Sequence, residues 1–331
     1  MNILIVKKLR KIMMSNCNHT FLIRAALGNI SLPDEMTEIN FGDFLIKECP
    51  NRQILKEFTD ENGDTEWDWE YPSNLDRNFP ICDYYLEATI VRSADKGWAE
   101  AEDFLMWCLT RLRLVQKGQL WGALYKVIDS SSPGVISGID NIRISSQRRP
   151  QVPPFPLTSK GLITNFKHQY AITEANCRNI KSSIAKFADI SYKEFKMSIR
   201  RFHYSFDRDL PSDKLIDLFI TLESLICTQS DSISYKLSLR TAQLIGENHD
   251  DKKSIFKFLK TAYSKRSTIV HGNRDAENWL LENTNLTSTN TTGENIEVLE
   301  HITRLVLTNI LLSTKQDTIH PDNIDELLLL K

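Results

Sequence analysis

Two side chains in the C-terminal half have the types and spacing for acid–base chemistry on an anionic group. Arg266 and His271 stand with four residues between them on Tyr263-Ser264-Lys265-Arg266-Ser267-Thr268-Ile269-Val270-His271-Gly272. A guanidinium is a permanent cation able to stabilise developing negative charge, and an imidazole moves protons near neutral pH. The segment closes a helical pattern that opens at Asp250-Asp251-Lys252-Lys253. Along it Ile255, Phe258, Leu259, Ala262, Ile269 and Val270 form one apolar stripe, with Arg266 near its middle. A cation on a core-facing stripe requires an anionic partner or a cavity. His271 falls at the negative end of the helix dipole, and Gly272 suits a left-handed helix stop.

Spacing alone is a weak signal, because a buried Arg bridge followed by a helix-capping His has the same pattern. Ideal helix geometry also works against a joint site, since residues five apart point about 140° from each other. Either the helix unwinds near Val270, or Arg266 and His271 serve different surfaces.

The chain that must position these groups has 331 residues, enough for two ordinary domains. Its 41% hydrophobic and 25% charged content is that of a soluble globular protein. A formal net charge of −2 argues against indiscriminate nucleic-acid binding while allowing a local basic surface. Cys17, Cys49, Cys82, Cys108, Cys177 and Cys227 are scattered, with no C-x-x-C pair, which reads as reduced thiols. No His/Cys cluster has zinc-site spacing and no glycine-rich phosphate loop is present, so neither a metal nor a cofactor is expected. The apolar run Ile3-Leu4-Ile5-Val6 ends at Lys7-Lys8, too short for a signal-peptide core, and no later segment suits a bilayer span. The expectation is a cytoplasmic protein without membrane contact, in which the Asn-x-Thr triplets at Asn18, Asn285 and Asn290 carry no meaning.

Residues 1–19 read as a leader. Residues 20–148 read as a β-rich mixed domain, with strands at 21–27, 38–44 and 84–91 and a helix at 99–115. Further strands are expected at 121–128 and 139–144, and a short helix at 52–58. The acidic loop carrying Trp67 and Trp69 reads as pinned by aromatic anchors or, alternatively, as a partner-binding site. This domain holds no catalytic constellation and reads as a recognition or scaffolding module, a place for a protein trigger or inhibitor. Residues 149–157 are a proline-rich linker.

From 158 to 331 the period is helical, with helices expected at 158–170, 173–188, 191–206, 211–228, 231–246, 250–271, 294–314 and 321–330. Asn273 to Gly293, polar and rich in Thr and Asn, reads as a mobile loop. The fold class is therefore α+β: a β-rich N-terminal domain followed by an all-α bundle. Residues 191–271 carry 14 Lys/Arg against 10 Asp/Glu, and residues 272–331 carry 4 against 10. Lys193, Lys196, Arg200 and Arg201 cluster with Phe195, Phe202 and Tyr204 between them. The cluster is compatible with a groove for single-stranded nucleic acid, but reads first as an amphipathic helix with aromatics in the core and solvated cations.

The helical half resembles the Apea-like branch of the HEPN superfamily (higher eukaryotes and prokaryotes nucleotide-binding domains). Three collinear blocks carry the likeness across about residues 190–315: Leu215 to Ile226, Ser234 to Ala242, and Tyr263 with Arg266 to Gly272. The resemblance implies a helical bundle that dimerises and, in active members, a metal-independent endoribonuclease built on an R-x4–6-H motif. Arg266 and His271 occupy that motif here. The position after the Arg, often an amide or acid in the superfamily, is Ser267, as in other Apea-like sequences. The chemistry implied is attack by the RNA 2′-hydroxyl, with His271 as general base or acid and Arg266 stabilising the transition state. Products would be a 2′,3′-cyclic phosphate and a 5′-hydroxyl. Motifs from two protomers would meet across the homodimer.

Glu223 and Arg240 are expected to form an ionic network orienting Arg266, with Tyr263 beside it as either a supporting residue or a core aromatic. Lys265 joins Lys193, Lys196, Arg200 and Arg201 as expected RNA contacts. The implied role is an antiviral-defence or toxin-like growth-arrest effector. The alternatives are a catalytically silent HEPN module that binds RNA, nucleotide or a protein partner, and a purely structural dimerisation unit.

Overall fold

In the first half the side-chain alternation, with a period of two, dictates a sheet. The computed structural model describes residues 18–48, 84–93, 97–118, 120–129, 142–144, 169–190, 192–206, 208, 210–227, 232–272, 275–286 and 291–313. Strand β1 (Asn18–Gly28) lies between β5 (Tyr84–Ser93) and β6 (Trp121–Asp129), antiparallel to both. Phe21, Ile23, Ala25 and Leu27 are buried, and so are their cross-strand neighbours Ile90, Ala88 and Leu86. Burying one face of each strand in this way fixes the register. On the alternate positions Arg24 pairs with Glu87 at 2.7 Å, and Lys47 reaches the same carboxylate at 3.1 Å. Burial would raise the Glu87 carboxyl, but the two cations outweigh it and hold it low.

The six-stranded sheet runs β3-β4-β5-β1-β6-β7, where β3 is Glu38–Asn40, β4 is Phe44–Glu48 and β7 is Ile142–Ile144. Thus the strand expected over 38–44 is two short strands, with a bend at Phe41–Asp43 between them. Helix α1 (Gly97–Val115) follows β5. A separate parallel pair joins β2 (Ile30–Ser31) to β8 (Tyr170–Ala171), so Tyr170 is strand where the periodicity predicts the end of a helix. Helix α2 spans Glu174–Ala185.

Contacts divide the chain into a unit of residues 1–109 with 118–185 and a unit of residues 110–117 with 186–331. This places α2 in the first unit, whereas the sequence reading begins the helical domain at residue 158. The expected leader over 1–19 lies outside the described residues up to residue 17, while Asn18 and His19 open β1. The expected helix over 52–58, the two-Trp loop, the linker over 149–157, the helix over 158–170 up to residue 168 and the helix over 321–330 also lie outside the described residues.

The second unit is helical: α3 (Lys196–Ser205), α4 (Pro211–Ile226), α5 (Ile233–Ile245), α6 (His249–Val270), α7 (Asp275–Leu281) and α8 (Asn295–Ser313). Pro211 takes the first helical position of α4 and Asp213 its first turn, as their chemistry favours. Helices α4 and α8 form the centre. Leu215, Leu218, Phe219 and Leu222 of α4, and Val298, Ile302, Val306 and Ile310 of α8, are fully buried. Residues 192–195 are turns that precede α3, so that helix starts later than 191.

Within the segment predicted as a loop over 273–293, the described residues 275–286 and 291–293 form regular elements instead: α7 is followed by β9 (Asn283–Leu286), which pairs antiparallel with β10 (Thr291–Glu294). The anchors are the few apolar residues in that polar stretch. Ala276, Leu280 and Leu286 are buried, Trp279 packs 5.9 Å from the Phe258 ring, and the Asn295 side chain donates to the Trp279 carbonyl at 2.7 Å. No helix among the described residues is long and apolar enough to cross a membrane.

Candidate functional site

Helix α6 begins and ends on strong local signals. The Asn248 side chain accepts from the Asp251 N–H at 3.0 Å and donates to the Asp251 carboxylate at 2.7 Å, a reciprocal cap. At the far end the His271 N–H donates to the Ser267 carbonyl at 3.1 Å and the Gly272 N–H to that of Ile269 at 2.9 Å. Gly272 takes φ +83°, the left-handed stop a glycine adopts without strain. Helical geometry therefore runs unbroken through Val270. Of the two possibilities the sequence leaves open, the helix does not unwind, and Arg266 and His271 leave it in different directions.

Arg266 turns to the buried side. Its Nη2 lies 3.7 Å from Glu223 Oε1 on α4, and its guanidinium sits 5.4 Å from the centre of the Tyr263 ring. Tyr263 in turn meets Phe219 edge-on at 5.3 Å. Burial first, and the Glu223 carboxylate second, raise the Tyr263 phenol. The ion pair is too long for a hydrogen bond. Arg266 Nε and Glu223 Oε1 are both shielded from solvent, and neither has a hydrogen-bond partner. The side chains of Arg266 and Glu223 are 23% and 24% exposed, so the pair sits at the mouth of the bundle rather than in its centre.

His271 is exposed, as are Gly272 and Val270, the latter at 55%. The buried stripe thus stops at Ala262, and the expected contribution of Ile269 and Val270 to the core is not made. Ile269, Ser267 and Lys265 are half-buried. Nothing among the described contacts joins Arg266 to His271.

Arg240 is buried and donates to the carbonyl of Ile226, the last residue of α4. It fixes the helix end that carries Glu223, which places it one step behind the site. Nearby Cys227 is half-buried, and burial pushes its thiol up to about 11, the behaviour of an inert thiol rather than a nucleophile.

The basic cluster on α3 divides. Arg201 donates at 3.0 Å to Asp217, a buried carboxylate that also receives Arg208. Phe195 and Phe202 are buried, so these two rings belong to the core and present no stacking face. Lys193 and Arg200 are exposed and Lys196 is half-buried.

A second charged group escaped the sequence reading. Arg113, at the end of α1, donates to the His203 carbonyl at 3.1 Å, and its Nη1 lies 2.9 Å from His203 Nδ1. Lys214 reaches Glu300 at 2.6 Å, and Arg304 binds both Glu300 and the Arg113 carbonyl. Burial alone would raise Glu300, but Lys214 and Arg304 hold it at about 2. Burial, with Arg113 alongside, drives His203 well below its ordinary 6.5. Periodicity marks these residues as helical and gives no sign of their partners.

No protein-family model, curated protein or solved structure matches this chain.

Proposed function

We propose that the chain is a metal-independent endoribonuclease of HEPN type, acting as an antiviral-defence or growth-arrest effector, with each active site shared between two copies. The observation that supports this most is the state of Arg266. Its guanidinium is held by Tyr263 and loosely by Glu223, with a shielded Nε that has no partner. Such a group can exchange a distant carboxylate for a phosphate, which offers shorter charge-assisted hydrogen bonds. Five residues on, His271 offers an exposed imidazole at the end of the same helix.

RNA supplies its own nucleophile, so the protein needs only to move protons and stabilise charge. His271 takes the proton from the 2′-hydroxyl or gives one to the leaving 5′-oxygen. Arg266 faces the phosphorane-like transition state. Because the two side chains diverge on one helix, the phosphate receives Arg266 from one copy and His271 from the other. The exposed Val270 beside His271 is a natural part of the contact between copies.

The test is purified protein with total RNA in EDTA. Cleavage to 2′,3′-cyclic phosphate ends that falls about 10²–10⁴-fold in His271→Ala is expected. Equal cleavage by wild type and variant would refute the assignment.

The divergence of Arg266 and His271 also favours a second reading, a silent module that binds RNA, nucleotide or a protein partner. It predicts retention of RNA without turnover and full function in His271→Ala.

A further inference from the structure

The face of α6 opposite its buried stripe carries a pattern of its own. Lys253, Lys257 and Lys260 are exposed at spacings of four and three, followed by exposed Ser264. None of the three lysines makes an ion pair with any described residue. The acid on that face, Asp250, lies a turn earlier, in the first turn of the helix. Eighteen residues separate Lys253 from His271, and at about 3.6 residues per turn this is five whole turns. The row of ammonium groups is therefore in line with the imidazole, while Arg266 lies toward the core. Lys260 is about 16 Å along the helix from His271 at 1.5 Å per residue.

Aromatic rings flank the row. Lys260 Nζ sits 5.8 Å from the centre of the Phe256 ring, and Phe256 meets Tyr235 of α5 edge-on at 5.7 Å. Tyr235 is 52% exposed, which is unusual for a large aromatic with no described partner beyond a single ring contact.

We propose that this face of the α5–α6 pair is the track for single-stranded RNA leading to His271, with Lys253, Lys257 and Lys260 on successive phosphates and Tyr235 stacked on a base. The proposal rests on the ribonuclease reading for its direction toward His271, but the binding surface is defined by its own residues. Unpaired lysines in a row are complementary to a polyanion, and the ring face selects a chain with exposed bases over a paired duplex or an acidic peptide. The α3 cluster is less suited, because Arg201 is committed to Asp217 and its Phe195 and Phe202 rings are buried.

The experiment uses the full chain carrying His271→Ala, so that the probe stays intact, and a short fluorescein-labelled single-stranded RNA read by anisotropy across a salt series. Replacing all three lysines by Gln should weaken binding at least tenfold at low salt and make the log–log salt slope shallower by about 2, from a slope of about 0.7 per phosphate contact on a single strand. Lys→Arg at the same positions should restore both, which separates loss of charge from loss of fold. Tyr235→Ala should weaken binding several-fold and leave the slope unchanged. Lys193→Gln with Arg200→Gln should have the smaller effect. Unchanged affinity and slope in the triple Gln variant would overturn the track, as would no RNA binding at low salt. Displacement by polyglutamate as effective as by unlabelled RNA would also overturn it, by showing an anion surface indifferent to bases. If RNA binds through these lysines but the protein with His271 intact does not cut it, the track stands and the ribonuclease reading falls.

Discussion

The helical unit contains two groups of charged residues built on opposite terms. Around Glu300 the charges are closely held, the carboxylate and Arg304 buried and Lys214 half-buried, with Lys214 at 2.6 Å and Arg304 bound to the same carboxylate and to the Arg113 carbonyl. Around Arg266 the one carboxylate stands at 3.7 Å, both partners are partly exposed, and hydrogen-bonding capacity is left over on each. A carboxylate with saturated partners ties helices together and has little left to give a ligand. A guanidinium with slack partners holds its place and can still accept a phosphate. The contrast separates a saturated ionic group from one with capacity to spare, the property on which the proposed role of Arg266 rests.

That contrast can be broken most forcefully by removing one partner from each group. Glu300→Ala should lower stability by about 3–5 kcal/mol, because it leaves buried cations uncompensated. Glu223→Ala should cost about 1 kcal/mol or less, in keeping with a loose, part-exposed pair. Urea denaturation of the two variants decides the matter, and equal losses would erase the distinction.

Acid should act on the first group. His203 has a folded value below its ordinary 6.5, so the unfolded chain binds that proton first and stability declines as pH falls through 6.5. Glu300 is depressed from 4.5 to about 2, so its contribution is full above 4.5 and is lost as pH falls toward 2. The carboxylate share is on the order of 3 kcal/mol. Thermal melts between pH 7 and pH 3 should show this decline, and Glu300→Gln should flatten its lower part.

Smaller effects sharpen the second group. Tyr263→Phe keeps the edge-on contact with Phe219 and should cost under about 1 kcal/mol. Val270→Asp should change the stability of the isolated fold by no more than about 0.5 kcal/mol, since the side chain faces solvent. If a second copy covers Val270, the same change shifts dimer to monomer in sedimentation velocity. A sedimentation profile identical to wild type would place the contact between copies elsewhere.

The contrast also shows what a sequence reveals. Helix α6 was legible to within a residue or so at each end, because the Asn248 cap, the first-turn acids and Gly272 are local signals and the buried stripe is periodic. The β1 and β5 strands were legible for the same reason, in alternation. The β9–β10 pair after α7 was not, since Asn, Thr and Ser give strands no apolar face; only Trp279, Leu280 and Leu286 hinted that the stretch packs. At the site, the pairing of Arg266 with Glu223 follows from helical faces. The commitment of Arg201 to Asp217 and the Glu300 network do not, because partners from distant segments leave no periodic trace. The lysine row on α6 was in the sequence throughout, on the face of the helix that a search for the core passes over.

Arg266 and His271 point apart on their own helix, so the proposed site takes one from each of two copies. Mixing Arg266→Ala protein with His271→Ala protein tests it directly. Each variant alone should be inactive toward RNA in EDTA, and after subunit exchange a symmetric dimer should recover about a quarter of wild-type cleavage, since half the dimers are mixed and each has one intact site. No recovery, with exchange verified by differently tagged subunits, would contradict the shared site.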